Sequence, residues 1–383
     1  MANTYNISPK WVAETKAKAW GTVPTADDSS VGTDLVAWNK FKSLMEKSTT
    51  AGSTFTTNIV STYSLLATGS GLYWGGVLAN NGDIHFVPGS TTVGQKISAA
   101  GVVSTYSLVY TAGLAYQGGV LTSNGEINFI PYQAAVGQKL SISGVVSTYS
   151  LAYTTATAYR GGVLSPNGDT HFVPYSAAVG QKISAAGVVS TYSLIYTATT
   201  QAYWGGVLAP NGDIHFIPAS APVGQKISAA GVVSTYSLIY TATQSNSGGV
   251  LAPNGDIYFV PGRASVGQKI SINGVVSTYS LIYTITTNAA YGGGVLAPNG
   301  DIHFVPNHAI VGQKIDINGV VSTYALVHTV TTAGTGAHLG GVLAPNGDIH
   351  FVPYWANVGQ KISTLSAVPF DNALCLSPHF NKL

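Results

Sequence analysis

Charged side chains are scarce, at 8 % of 383 residues, with 16 Lys and Arg against 14 Asp and Glu for a net charge of +2. Roughly a quarter of an ordinary sequence is charged, so this chain has no field to steer nucleic acid, an anionic membrane or a strongly acidic substrate. A single cysteine, Cys375, excludes an intrachain disulfide framework, and its apolar neighbours Ala373 to Leu376 suit a packed rather than a reactive thiol. No apolar run reaches the roughly 18 residues of a membrane span, and the first residues lack the basic and apolar regions of a secretory signal. These absences imply a soluble chain with no membrane insertion, for which an extracellular destination would need another route, such as assembly into a virion. Paired carboxylates, a Ser/His/Asp set, a Cys/His cluster and a phosphate-binding glycine loop are also missing. No catalytic residue, metal or cofactor is therefore expected, and the chain reads as not an enzyme.

Glycine is abundant instead, at 45 residues beside 45 % hydrophobic content, which excludes disorder and suits tightly turned β structure. Gly-Gly-Val recurs at Gly75, Gly118, Gly161, Gly205, Gly248, Gly293 and Gly340, every 43 to 47 residues. Each unit reads as four short strands bounded by Gly, Pro or Asn: A (Gly-Gly-Val-Leu-Ala), B (Asp-Ile-His-Phe-Val-Pro), C (Gln-Lys-Ile-Ser) and D (Ser-Thr-Tyr-Ser-Leu-Ile-Tyr-Thr). A Pro-Asn-Gly turn such as Pro210-Asn211-Gly212 joins A to B, with Asn and Gly expected to supply positive φ. No segment within the repeat sustains a 3.6-residue period, so a helical solenoid is excluded. The pattern predicts an all-β, seven-bladed β-propeller with four antiparallel strands per blade, A lining the axis and D the rim.

The phase of the repeat matters. The D strands begin at Ser61, Ser104, Ser147, Ser190, Ser234, Ser277 and Ser322, so the first D precedes the first A and the last A–B–C module has none of its own. The N-terminal strand is predicted to close the last blade and so remove an exposed edge. The expected organisation is an N-terminal helical extension over 1–56, the propeller over 57–363 and a C-terminal extension packed on it over 364–383. Ser8-Pro9 opens the first helix, and Leu35, Trp38, Phe41, Leu44 and Met45 form the apolar stripe of a second.

Strand A, the Pro-Asn-Gly-Asp turn and strand B resemble the NHL and YVTN type of propeller repeat, across about 300 of the 383 residues. The near-identical Gly-Gly-Val-Leu-Ala-Pro-Asn-Gly-Asp-Ile units and the C-terminal Leu-Ser-Pro-His-Phe-Asn-Lys-Leu are also similar to propellers encoded by bacteriophages and large DNA viruses, which implies a virion-associated protein.

Within the repeats, sequence diverges in the D–A and B–C links, which an up-and-down blade places on one face. Tyr73, Trp74, Tyr116, Tyr159, Tyr203, Trp204 and Tyr291 stand just before strand A; Tyr132, Tyr175, Tyr354 and Trp355 follow strand B. Arg160, Arg263, His308 and His338 are the ionisable groups of the same links. Uncharged aromatic and polar surfaces suit sugars, so this face is expected to bind a cell-surface glycan as a non-catalytic lectin or adhesin. Packing against the next blade is the competing reading for the Tyr before each Gly-Gly, and a protein-interaction scaffold without glycan affinity is the rival function. A glycosidase or lyase would need acids at the channel mouth, whereas Asp83, Glu126, Asp169, Asp213, Asp256, Asp301 and Asp348 lie in the A–B turns of the other face. Those acids are expected to bond their own turn backbone, and one carboxylate per turn is too few for calcium. The strand-B residues His85, Asn128, His171, His215, Tyr258, His303 and His350 are expected to hydrogen-bond Ser or Thr of neighbouring strands. Oligomeric state is left open.

Overall fold

The computed structural model describes residues 58–198, 200–329 and 336–364. The expected helices over 1–56 and the extension beyond Thr364 lie outside the described residues. All regular structure described is strand, in seven four-stranded antiparallel sheets, and no described helix is long and apolar enough to cross a membrane. After β1 (Asn58–Ser64), the first blade is β2 (Tyr73–Leu78), β3 (Ile84–Pro88), β4 (Val93–Ile97) and β5 (Val103–Ser107). The next twenty strands, from β6 (Tyr116–Leu121) to β25 (Val321–Ala325), repeat that meander five times, and β26 (His338–Leu343), β27 (Asp348–Pro353) and β28 (Val358–Thr364) complete the series. The last sheet has the order β1-β28-β27-β26, so the N-terminal strand closes the seventh blade as the phase of the repeat predicts. Val60 pairs with Ile362 and Thr62 with Gln360 in an unbroken antiparallel register.

Each blade is built by the same local chemistry. In the A–B turn, Gly212 N–H donates to Ala209 O at 2.9 Å, and Ala209 N–H to Asp213 O at 2.8 Å. Proline suits the second position of such a turn, and the glycine that follows carries the left-handed conformation. Gly212 alone has positive φ there (85°), and Asn211 instead accepts the Asp213 N–H through its side chain at 3.1 Å. Strand B is buried along its whole length because neighbouring blades cover both its faces, and Phe86, Phe129, Phe172, Phe216, Phe259, Phe304 and Phe351 are the fully enclosed centres.

The Gln and Lys of the repeated Gly-Gln-Lys have separate tasks. Gln95 is fully buried, and its Oε1 accepts the N–H groups of Leu66 (3.0 Å) and Ala67 (2.8 Å), just after β1. The same bridge recurs from Gln138 to the exit of the preceding blade at Val109 and Tyr110, so the glutamines fasten blade to blade. Each Lys pairs with the turn acid of its own blade, from Lys96–Asp83 at 2.7 Å to Lys361–Asp348 at 2.6 Å. That corrects the expected role of the acids: Asp83 reaches Lys96 and the C–D turn at Ala99 N–H (3.2 Å), while Asn81 holds its own turn.

Loop hydrogen bonds place the variable links together. Ala115 N–H of a D–A link donates to Gly89 O of the preceding blade's B–C link, and Ala202 to Tyr175, Ser245 to Ala219, Ala290 to Gly262, Ala337 to Asn307 and Gly71 to Tyr354 do likewise. Both kinds of link therefore share a face.

Candidate functional site

A register shift in every blade creates the site. Tyr73 pairs with Pro88 and Gly76 with Phe86, so two residues, Trp74 and Gly75, oppose Val87 alone. Such a bulge re-aims a side chain, and a first glycine at positive φ, as at Gly75 (108°) and Gly118 (75°), makes it possible. The first glycines also touch across blades: a Cβ on Gly118 would lie 2.7 Å from Gly161 Cα, and one on Gly340 would lie 3.2 Å from Gly75 Cα, which closes the circle. The second glycine does something different, since a Cβ on Gly76 would strike Val342 and Val352 of the neighbouring blade.

The re-aimed residues converge at the axis. Trp74, Gln117, Arg160, Trp204, Ser247, Gly292 and Leu339, one from each blade, line a cavity of about 190 Å³ with the ring glycines. Strands that are otherwise near copies thus carry six residue types at one equivalent position. Arg160 Cζ lies 3.0 Å from the Trp204 ring centroid, 5.4 Å from that of Trp74 and 5.5 Å from that of Tyr175. Burial lowers the guanidinium's pKa from its ordinary value, while the phenols of Tyr175, Tyr132 and Tyr354 oppose that shift. A buried unpaired charge costs several kcal/mol, of which stacking on desolvated aromatic faces offsets about 2.

An aromatic arc extends outward from this point. Trp74 stacks on Tyr132 at 6.0 Å, meets Tyr354 edge-on at 5.0 Å, and donates its indole N–H to Gly71 O at 3.0 Å. Tyr132 meets Tyr175 at 5.7 Å and Tyr354 meets Trp355 at 6.1 Å. Gly89 leaves the space in which Trp74 lies. Leu114, Thr157, Gln201 and Gln244, all in the D–A links, hold positive φ between 54° and 61° without being glycine, a strain of about 1–3 kcal/mol each that loop hydrogen bonding must sustain.

The expected site residues divide into three groups. Trp74, Arg160, Trp204, Tyr132, Tyr175, Tyr354 and Trp355 come together, with Trp355 the most open at 44 % exposure. Tyr73, Tyr116, Tyr159, Tyr203 and Tyr291 do not: they are fully buried against the strand-B Phe, with hydroxyls donated to carbonyls at the start of strand C, such as Tyr116 to Val136 O at 3.1 Å. Alternation along the strand turns them into the blade while their neighbours face the axis. Arg263 and His308 lie on the B–C links of the fifth and sixth blades and do not line the mouth; His308 Nδ1 is 3.1 Å from Ala289 O. His338 is likewise interior, in the place of a blade tyrosine, where burial holds it down at about 3. Gln117, Ser247 and Leu339 were not anticipated, although their position before Gly-Gly is the one that Trp74 and Arg160 occupy.

The strand-B histidines serve the blade interior. His171, His215, His303 and His350 place Nδ1 3.3–3.4 Å from a strand-D Tyr hydroxyl, which replaces the Ser or Thr partner expected. Burial holds His85, His171, His215 and His350 at about 4 and His303 at about 3. An unfolded imidazole titrates near ~6.5, so as pH falls the unfolded chain takes up protons first. The stability these groups confer is complete above pH ~6.5 and is lost progressively toward pH ~4. The thermal midpoint will therefore drop across that window, and His215→Asn, which copies Asn128 of the second blade, will flatten the profile; a midpoint constant with pH would refute the assignment.

Fold and site together define a seven-bladed propeller whose axial mouth is furnished by six residue types from seven blades. No protein-family model and no curated protein sequence matches the chain. Among solved structures it is similar to a streptogramin B lyase at 20 % identity and TM-score 0.67, covering 80 % of this chain and 97 % of that one. Virginiamycin B lyase from Staphylococcus aureus, in a catalytically inactive form with quinupristin, matches at 16 % identity and TM-score 0.69 over 80 % and 100 %. The WD40 propeller domain of Doa1 matches at 13 % and 0.61 over 82 % and 99 %. At these identities the likeness is one of fold, and none of the three supports a viral origin. The expectation that the chain is not an enzyme is overturned, because two of these neighbours are lyases on the same kind of scaffold. A search for local motifs has little power in a propeller, where groups that meet at the axis stand more than 40 residues apart, as Trp74 and Gln117 do.

Proposed function

We propose that the protein binds carbohydrate at the axial mouth of the propeller, in the manner of a lectin or adhesin. The observation that carries this reading is the aromatic arc of Trp74, Tyr132, Tyr175 and Trp204, which draws on four consecutive blades and borders a cavity. Indole and phenol rings offer flat apolar faces to sugar C–H groups and a polar tip to hydroxyls, with little rotamer entropy to lose. Its size suits a terminal residue rather than a whole chain: about 190 Å³, below the roughly 300–1,000 Å³ of sites that enclose drug-sized ligands.

A glycan array followed by calorimetry tests the reading. The wild type will bind a defined subset of glycans, and Trp74→Ala will weaken binding by about 2 kcal/mol, roughly thirtyfold. Ile142→Ser, in a C–D turn on the opposite face, will leave it unchanged. Capture of a protein partner with no glycan retained would replace this reading with the scaffold role.

A further inference from the structure

Arg160 is a cation without an anion. It is 7 % exposed, and every described carboxylate is engaged elsewhere. Seven turn acids pair with the lysines of their own blades, and Asp316 accepts the N–H groups of Asn318 and Val320 in its own turn. The rings of Trp74, Tyr175 and Trp204 lie 3.0–5.5 Å from its Cζ and bring no carboxylate. Beside it in the same cavity, Gln117 is 1 % exposed and neither its amide oxygen nor its amide nitrogen has a hydrogen-bond partner. A buried amide left wholly unpaired is rare and calls for a missing partner. An anion for Arg160 and a donor–acceptor pair for Gln117 are thus both wanting at one mouth.

We propose that the ligand is an acidic sugar, its negative group held by Arg160 and a ring hydroxyl by Gln117. This rests on the carbohydrate reading above and narrows it to one substrate class. Arginine binds carboxylate and sulfate oxygens through paired N–H groups, and an amide side chain both donates to and accepts from a hydroxyl. Because the described part of the mouth presents no acid, nothing there repels the anion. A carboxylate and a sulfate ester share this chemistry, and separate arms of the experiment distinguish them.

Calorimetry on the full chain compares glucuronate with glucose, galacturonate with galactose, and a sulfated galactose with galactose, with acetate and inorganic sulfate as sugar-free probes. At least one acidic sugar will bind about tenfold or more tightly than its neutral parent, and the preference will shrink as salt is raised. Arg160→Gln will abolish the preference, so that an acidic sugar and its neutral parent bind equally whatever the level, and Arg160→Lys will restore part of it. The comparison within the wild type decides the matter even if Arg160→Gln fails to fold. Equal affinity for acidic and neutral sugars would overturn this inference and leave the carbohydrate reading standing. Acetate or sulfate binding as tightly as every acidic sugar would overturn the sugar and leave Arg160 an anion site. Absence of binding by every probe would overturn both.

Discussion

A chain lacking residues 1–64 will not form a stable closed ring. β1 pairs residue for residue with β28, and Val60 packs on the apolar cluster of Ile349, Phe351 and Ile362. Tyr63 lies across Gly359, where no Cβ would fit, and sets its hydroxyl 3.4 Å from His350 Nδ1. Both side chains are half-buried, so their burial is worth about 1–2 kcal/mol each, below the value for full enclosure. The loss is therefore about 3 kcal/mol before the ladder hydrogen bonds are counted, against the roughly 5–15 kcal/mol that typically holds a native fold. The truncated chain would also bare β28 as an open edge, which recruits other chains. Aggregation, or a lowered and broadened unfolding transition, is the expected result, with partial rescue by a peptide of residues 58–68. Recovery of a monomer that unfolds at the wild-type temperature would show that the seam is not closed by this strand.

Gly118→Val will be nearly as damaging through a single position. The new Cβ would sit 2.7 Å from Gly161 Cα and 3.3 Å from its nitrogen, both backbone atoms that cannot rotate away, at φ +75°. Left-handed backbone costs an L-residue about 1–2 kcal/mol, and overpacking adds about 1–3. A β-branched side chain is the worst case there. A fall in thermal midpoint of roughly 10 °C is expected, with ligand binding impaired because the shifted glycine neighbours Gln117 and Arg160. Gly144→Ala isolates the conformational part, since Gly144 has φ +84° with nothing within 4 Å of its Cβ position. If the two variants proved equally stable, the glycines would not form the close-packed ring described above.

The ring itself was legible in the sequence. Seven Gly-Gly-Val repeats counted the blades, and a D strand ahead of the first A located the seam at β1 and β28. The site was legible only in part, because Tyr73 and Trp74 look equally available until the bulge at Gly75 fixes which one faces the axis. Strand parity would have separated them and would also have brought in Gln117, Ser247 and Leu339. The Lys96–Asp83 pair stayed hidden for a related reason: it depends on strand register, with His85 opposite Lys96, which composition does not encode. The expectation that the chain is not an enzyme gives way to a fold that it shares with lyases, and local motifs say little about a mouth assembled from seven distant segments.

A crystal structure of the full chain soaked with the best-binding acidic sugar tests the central claim most directly. Density is expected at the axial mouth, with the sugar ring against the aromatic arc, its anionic group on the Arg160 guanidinium and a hydroxyl on the Gln117 amide. A sugar seated instead in the inter-blade groove of the opposite face, lined by Thr122, Asn124 and Gly187, would contradict it.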